Sequence, residues 1–125
     1  MSGKARIVAL GPHDGTVLPD PAGGHVTFKA RTRETGGAMT VFEREVAAGD
    51  GPPEHVHAGE DEAVYVLAGE LRFRLGAHVH ALAAGSFVFI PRGTPHCYGT
   101  AGADPARILV ISTPCGMERD FEGPE

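Results

Sequence analysis

The sequence predicts an all-β fold. Three observations carry that expectation. The 125 residues include 18 Gly and 10 Pro. No long stretch repeats apolar residues at helical spacing, and short apolar or alternating runs are broken by turn residues at nearly regular intervals. Strands are expected over 25–31 and 38–46, separated by Gly36-Gly37 and closed by the Gly- and Pro-rich stretch 49–53. The next run, 63–67, ends at Gly69; 71–75 ends at Gly76; 78–82 ends at Gly85. Strand 86–90 meets the fixed corner 91–95, and 96–98 is followed by the turn-rich 99–105 and a last strand over 107–112.

Side-chain alternation separates two kinds of strand. In Leu71-Arg72-Phe73-Arg74-Leu75 the apolar residues share one face and the arginines the other, as a half-buried strand requires. Ser86-Phe87-Val88-Phe89-Ile90 is apolar on both sides and is expected to be buried on both faces. Both kinds suit a closed antiparallel barrel. Residues 1–125 are expected to form a single domain with its core over about 25–114, the segments before 20 and after Pro114 being peripheral.

Composition narrows the partners. Eleven Lys and Arg against sixteen Asp and Glu give a net charge of −5. There is no basic stripe, so nucleic acid and anionic membranes are not expected as main partners. The apolar run at 7–10 is too short for a signal-peptide core or a membrane span, which predicts a soluble, cytoplasmic protein. Cys97 and Cys115 fit no CxxC spacing. Cys97 follows His96 directly, should face the other way on a strand, and reads as a packed thiol rather than a nucleophile.

Chemistry concentrates in the histidines. His55 and His57 stand at i and i+2, so on a strand both reach one ion. Glu62 and the more distant His96 accompany them, and imidazole with carboxylate is the ligand chemistry of Zn, Fe, Mn, Ni and Cu. Gly49 and Gly51 permit unusual backbone angles ahead of the pair, and Pro52 and Pro53 stiffen its approach. Asp61 and Glu62 are neighbours, so only one points inward. Whichever of the two faces away is expected in solvent, or as an acceptor that orients a ligand histidine. His78 and His80 form a second His-x-His with no acid at a suitable distance and read as a hairpin surface pair; His13 and His25 stand alone.

The spacings resemble the cupin superfamily. Its first motif is Gly, five residues, His-x-His, four residues, Glu, six residues, Gly, met by Gly49, His55, His57, Glu62 and Gly69. Measured from Asp61 the last interval is wrong, which favours Glu62. The second motif is met by Gly85, Pro91, Gly93 and His96, with Thr100 where the family usually has Asn, and fifteen residues separate the two motifs. The resemblance implies a small antiparallel jelly-roll barrel. It implies that His55, His57, Glu62 and His96 hold one divalent metal ion. It also implies a homodimer, since related small cupins pair by sheet edges.

Alternation from the ligands extends the pocket. Tyr98 should face the same way as His96, either donating a proton or hydrogen bond to a substrate or simply filling the barrel. Val64 and Val66 follow Glu62, and with Phe73 and Phe89 they suggest an apolar cavity for a small hydrophobic or aromatic molecule. The stretch 52–69 and the tail 114–118 look most like cupins grouped with quercetin 2,3-dioxygenase. That resemblance implies a metal-dependent dioxygenase acting on a small phenolic or enolisable substrate, with Glu62 as base and Tyr98 as a second catalytic group. Two other readings fit the same residues: a non-oxidative lyase, cyclase or isomerase, and a non-catalytic small-molecule-binding module.

Overall fold

A computed structural model describes residues 4–49, 53–100 and 102–122; Gly51 and Pro52, expected to shape the approach to His55, lie outside the described residues. Nine strands and two one-turn helices follow one another as β1 (Thr16–Pro19), β2 (His25–Ala30), α1 (Thr32–Thr35), β3 (Thr40–Val46), β4 (Asp61–Ala68), β5 (Glu70–Leu75), β6 (His78–Ala83), β7 (Phe87–Ile90), β8 (His96–Thr100), β9 (Ala106–Thr113) and α2 (Arg119–Glu122). All eight expected strands are present. The additions are β1, an edge strand of only four residues, and the two helical turns.

The strands form a six-stranded sheet, ordered β1-β2-β3-β9-β4-β7, and a three-stranded sheet, ordered β6-β5-β8, antiparallel throughout. Their inner faces share one core. Val26, Phe28, Phe42, Val64, Val66, Ile108 and Val110 come from the large sheet, and Leu71, Phe73 and Tyr98 from the small one. This is the all-β architecture that the resemblance implies. No helix among the described residues is long and apolar enough to cross a membrane.

Register decides which residues face inward. Strand β9 lies between β3 and β4, and one row across the sheet reads Thr40, Ser112, Glu62 and Ile90, all buried. Asp61 pairs with Thr113 in the neighbouring row, whose side chains point outward. The alternation in β5 is as expected, with Leu71 and Phe73 buried and Arg72 and Arg74 exposed.

Strand β7 departs from expectation. Val88 and Ile90 are buried, but Phe87 is 61% and Phe89 55% exposed. The reason is position: β7 is an edge strand that pairs with β4 alone among the described residues, and no described residue covers its outer face. Phe87 instead pairs across the strands with Tyr65, and Phe89 with Ala63, and Phe89 does not line the cavity beside the histidines.

Gly69 is the tight point of the frame. It joins β4 to β5 with φ of +81°, and a β-carbon there would lie 2.8 Å from Cα of Ala106 and from the Pro105 carbonyl oxygen. Gly85 has a similar φ of +93° with open space around it. Gly69→Ala should therefore cost about 2–5 kcal/mol, strain plus a clash with backbone, against about 1–2 kcal/mol of strain for Gly85→Ala. Urea midpoints of the two variants check this, and equal shifts would contradict it.

Candidate metal centre and cavity

The segment carrying His55 and His57 precedes β4 and is stitched to the start of β8. The His55 amide donates to the His96 carbonyl and the His96 amide to the His55 carbonyl, each at 3.0 Å. The chain passes through the corner 91–95 before His96, and there the Gly93 amide donates to the His57 carbonyl at 2.8 Å. Four residues past His96, Thr100 clamps the other motif: its hydroxyl accepts from the Gly49 amide at 2.7 Å and its own amide donates to the Gly49 carbonyl at 2.9 Å. A threonine thus supplies the turn contact at the position where the family usually has Asn.

These ties bring the three rings together. Ring centroids lie 4.2 Å apart for His55 and His96, 5.0 Å for His55 and His57, and 5.6 Å for His57 and His96. One nitrogen from each ring falls within 4.8 Å of the others, a grouping able to hold a metal ion. Nδ1 of His55 lies 2.8 Å from the Pro53 carbonyl oxygen, and Nδ1 of His96 lies 2.8 Å from that of Thr94. A carbonyl only accepts, so the hydrogen bonds assign each proton to Nδ1 and leave the Nε2 lone pair free for a ligand.

Glu62 completes the set. Its Oε1 lies 3.2 Å from His96 Nε2. Both atoms are buried and neither has a hydrogen-bond partner among the described residues; Ser112 Oγ, beside Glu62 in the register, shares that condition. Two lone pairs facing each other at this distance repel unless a cation or a proton lies between them. The donor set of three imidazoles and a carboxylate therefore fits a divalent ion.

Protonation follows the same geometry. Burial pulls the His96 imidazole down, but the Glu62 carboxylate and the Thr94 carbonyl outweigh it and raise the net value. His55 moves the other way: burial lowers it, the Pro53 carbonyl opposes, and the neighbouring His96 and His57 rings add to the fall.

Asp61 orients no histidine. Its carboxylate accepts from the Arg92 amide at 2.9 Å and from Arg92 Nε at 3.1 Å, which fastens the corner before His96 to β4. His78 and His80 are exposed on β6, as expected of a surface pair. Cys97 is a free, partly buried thiol lining a different groove from His96.

A cavity of about 220 Å³ opens beside the cluster, and His55, His57, Glu62 and Tyr98 line it. Its apolar walls differ from those expected. Val64, Val66 and Phe73 are fully buried between the sheets, because only the Glu62 end of β4 reaches the opening. The walls are instead Phe42, Met117 and Phe121, the last two from the tail after Pro114. Glu118 holds that tail down. Its carboxylate accepts from the Thr40 hydroxyl at 2.7 Å and from the Thr32 amide at 3.0 Å, a donor at the start of α1. Burial raises the Glu118 carboxyl, and these donors outweigh it, leaving the group below the usual carboxylate value.

The alternation argument places Tyr98 correctly and misses its partners. Its hydroxyl accepts from Arg44 Nη1 at 2.6 Å, and Arg44 in turn grips Asp20 through Nε and Nη2, each at 2.6 Å. Burial, partly offset by Arg44, pushes the phenol up to about 12. Arg44 was legible in principle: in β3 it shares its phase with Phe42 and Val46, so an arginine occupies a core-facing position. Asp20 has no such signal, because it lies in the turn after β1.

The antiparallel double sheet and a histidine cluster able to hold a metal ion are features of a small cupin-type protein. Residues 42–112 match the cupin domain model, and the chain belongs to that family. The tetracenomycin polyketide synthase protein TcmJ of Streptomyces glaucescens is 29% identical over 101 residues, covering 79% of this chain and 68% of that one. TT1209 of Thermus thermophilus is 29% identical with a TM-score of 0.61, covering 83% of this chain and 87% of its own. The polyketide cyclase RemF of Streptomyces resistomycificus shares the fold at 24% identity and a TM-score of 0.74, over 89% and 81% of the two chains.

The ligand cluster and the tail can each be tested. Protein purified without chelators should carry about one divalent ion per chain by elemental analysis, and His96→Ala should lose it. Wild type that holds no metal and takes up neither added Zn²⁺ nor Ni²⁺ would refute the metal centre. For the tail, the folded Glu118 value lies below the 4.5 of an ordinary glutamate, so its stabilisation is full above that pH and is lost as pH falls through the folded value. The stability gap between wild type and Glu118→Gln should shrink between about pH 6 and pH 3 in thermal melts. A gap independent of pH contradicts this role.

Proposed function

We propose that the chain is a metal-dependent enzyme that catalyses a non-oxidative cyclisation or isomerisation of an enolisable, polyketide-like substrate. The observation carrying the reaction class is the likeness, along most of the chain, to a protein named as part of a polyketide synthase. RemF, called a polyketide cyclase, contributes its fold to the comparison. Neither protein is named as an oxygenase, so the alternative raised from the sequence has better support than the dioxygenase.

The residues suit such chemistry. In this reading His55, His57, His96 and Glu62 would hold the ion, which when bound acts as a Lewis acid on a substrate carbonyl. The Glu62 carboxylate reaches the cavity and takes the proton from the carbon between two carbonyls. The electron pair left behind forms a carbon–carbon bond to a second carbonyl of the same chain. The alkoxide so produced recovers a proton, and loss of water then gives an aromatic ring. No oxidant enters this balance. Tyr98, protonated at neutral pH, donates a hydrogen bond to the oxygen on which charge develops. Phe42, Met117 and Phe121 supply flat apolar walls for a ring-forming substrate.

The test is turnover of a short poly-β-ketone analogue by the metal-loaded protein with and without O₂. Product should form at the same rate anaerobically, and Glu62→Gln should lower kcat by about 10²–10⁴-fold. Product that requires O₂ overturns the proposal in favour of the dioxygenase.

A further inference from the structure

A second polar cluster, Asp20, Arg44 and Tyr98, belongs to neither the ligand set nor the base, and its Arg44 and Tyr98 line the cavity. A guanidinium has five N–H groups. In Arg44, Nε and one Nη2 hydrogen bind Asp20 and one Nη1 hydrogen binds the Tyr98 oxygen, so two donors are left over. Asp20 lies outside the cavity lining: Oδ1 takes Arg44 and the Ala22 amide, and Oδ2 takes Arg44 again. Tyr98 receives a hydrogen bond from Arg44, which turns its own O–H away from that side. No described residue accepts that proton. What this cluster offers to the cavity is therefore hydrogen-bond donors alone.

Its charge is also balanced. The Arg44–Asp20 pair is buried, with side-chain exposures of 12% and 1%, and the guanidinium lies 5.5 Å from the centre of the Phe121 ring. A neutral, donor-only cluster among aromatic walls suits an uncharged or partly charged acceptor oxygen on a flat apolar body. It does not suit a free carboxylate, which gains most from an unpaired cation.

We propose that Arg44 and Tyr98 form a subsite for a ketone or enolate oxygen of a planar, ring-fused substrate, with Asp20 fixing Arg44 and Arg44 fixing the phenol. Asp20 is a positioning residue; Arg44 and Tyr98 touch the substrate. The inference deepens the polyketide reading, because it names which substrate group is held away from the histidines' own ligand, and it rests on that reading for the ring-fused body.

The experiment is equilibrium binding of 1-tetralone and of tetralin, the same fused ring without oxygen, to purified protein of measured metal content. Wild type should bind the ketone about tenfold or more tightly than the hydrocarbon. Tyr98→Phe should remove most of that preference at unchanged metal content, leaving tetralin affinity as it was. Arg44→Met should do the same, and Arg44→Lys should restore part of it. A purely structural role for the cluster lowers both affinities together, and that result overturns the proposal. So does a preference that survives Tyr98→Phe, or a wild type that binds neither compound. Should Arg44→Met fail to fold, Tyr98→Phe decides alone. The subsite and the reaction fail separately: ketone preference without turnover sinks the cyclase reading only, and turnover without ketone preference sinks the subsite only.

Discussion

Two reciprocal backbone hydrogen bonds between His55 and His96 hold the site together. They form an isolated bridge outside both sheets, joining the segment before β4 to the first residue of β8. Each bond contributes about 0.5–1.5 kcal/mol net, so their effect is positional more than energetic. With the strands paired this way, the two rings stand 4.2 Å apart, and the carbonyls of Pro53 and Thr94 can set both tautomers. The Gly49–Thr100 clamp repeats the tie further along the same pair of segments. Without these ties, three imidazoles on separate stretches of chain have no reason to converge.

The other half of the site depends on register. The row Thr40, Ser112, Glu62 and Ile90 runs across four strands on the inner face. Glu62 supplies the carboxylate facing His96, while Thr40, at the other end of the row, donates its hydroxyl to Glu118 and accepts from the Gly116 amide. One row therefore sets both the acid beside the histidines and the anchor for the tail that walls the cavity. A one-residue slip of β9 would turn Ser112 outward, with Ile108 and Val110, and break the row in its middle.

Local patterns were legible in the sequence; partnerships between distant segments were less so. The two-residue spacing of His55 and His57 reads as a strand pair, although the two precede β4; the choice of Glu62 over Asp61 comes from the spacing of the motif that the chain resembles, and β5 alternates as written. The eight expected strands lie between the turn residues that mark them. Burial of β7 was misjudged because an apolar strand reads alike whether it is central or at an edge, and sheet order is a property of the whole chain. That error put Phe89 in the cavity. The tail was missed for a related reason: α2 is a single turn with no period to detect, and Met117 and Phe121 gain meaning only from Glu118 reaching Thr32 and Thr40, at least 78 residues away. Asp61 shows the same limit, since its partner Arg92 lies 31 residues on.

Arg44 and Asp20 raise a question of energetics that bears on function. Withdrawing an ion pair from water is costly, and well-packed apolar residues in its place are often as stable or more so. Strand β3 has apolar residues at the neighbouring inward positions, Phe42 and Val46, so an apolar side chain at Arg44 would continue the pattern. Stability alone does not call for a guanidinium there. Once present, though, it cannot be removed singly without leaving Asp20 buried and unpaired, a loss of about 3–5 kcal/mol. The pair is thus costly to place and hard to lose, and Arg44 sits at an inward position of β3 that lines the cavity. An interaction with a molecule in that cavity gives such a pair a physical reason to be there, through the donors that Arg44 and Tyr98 leave unused.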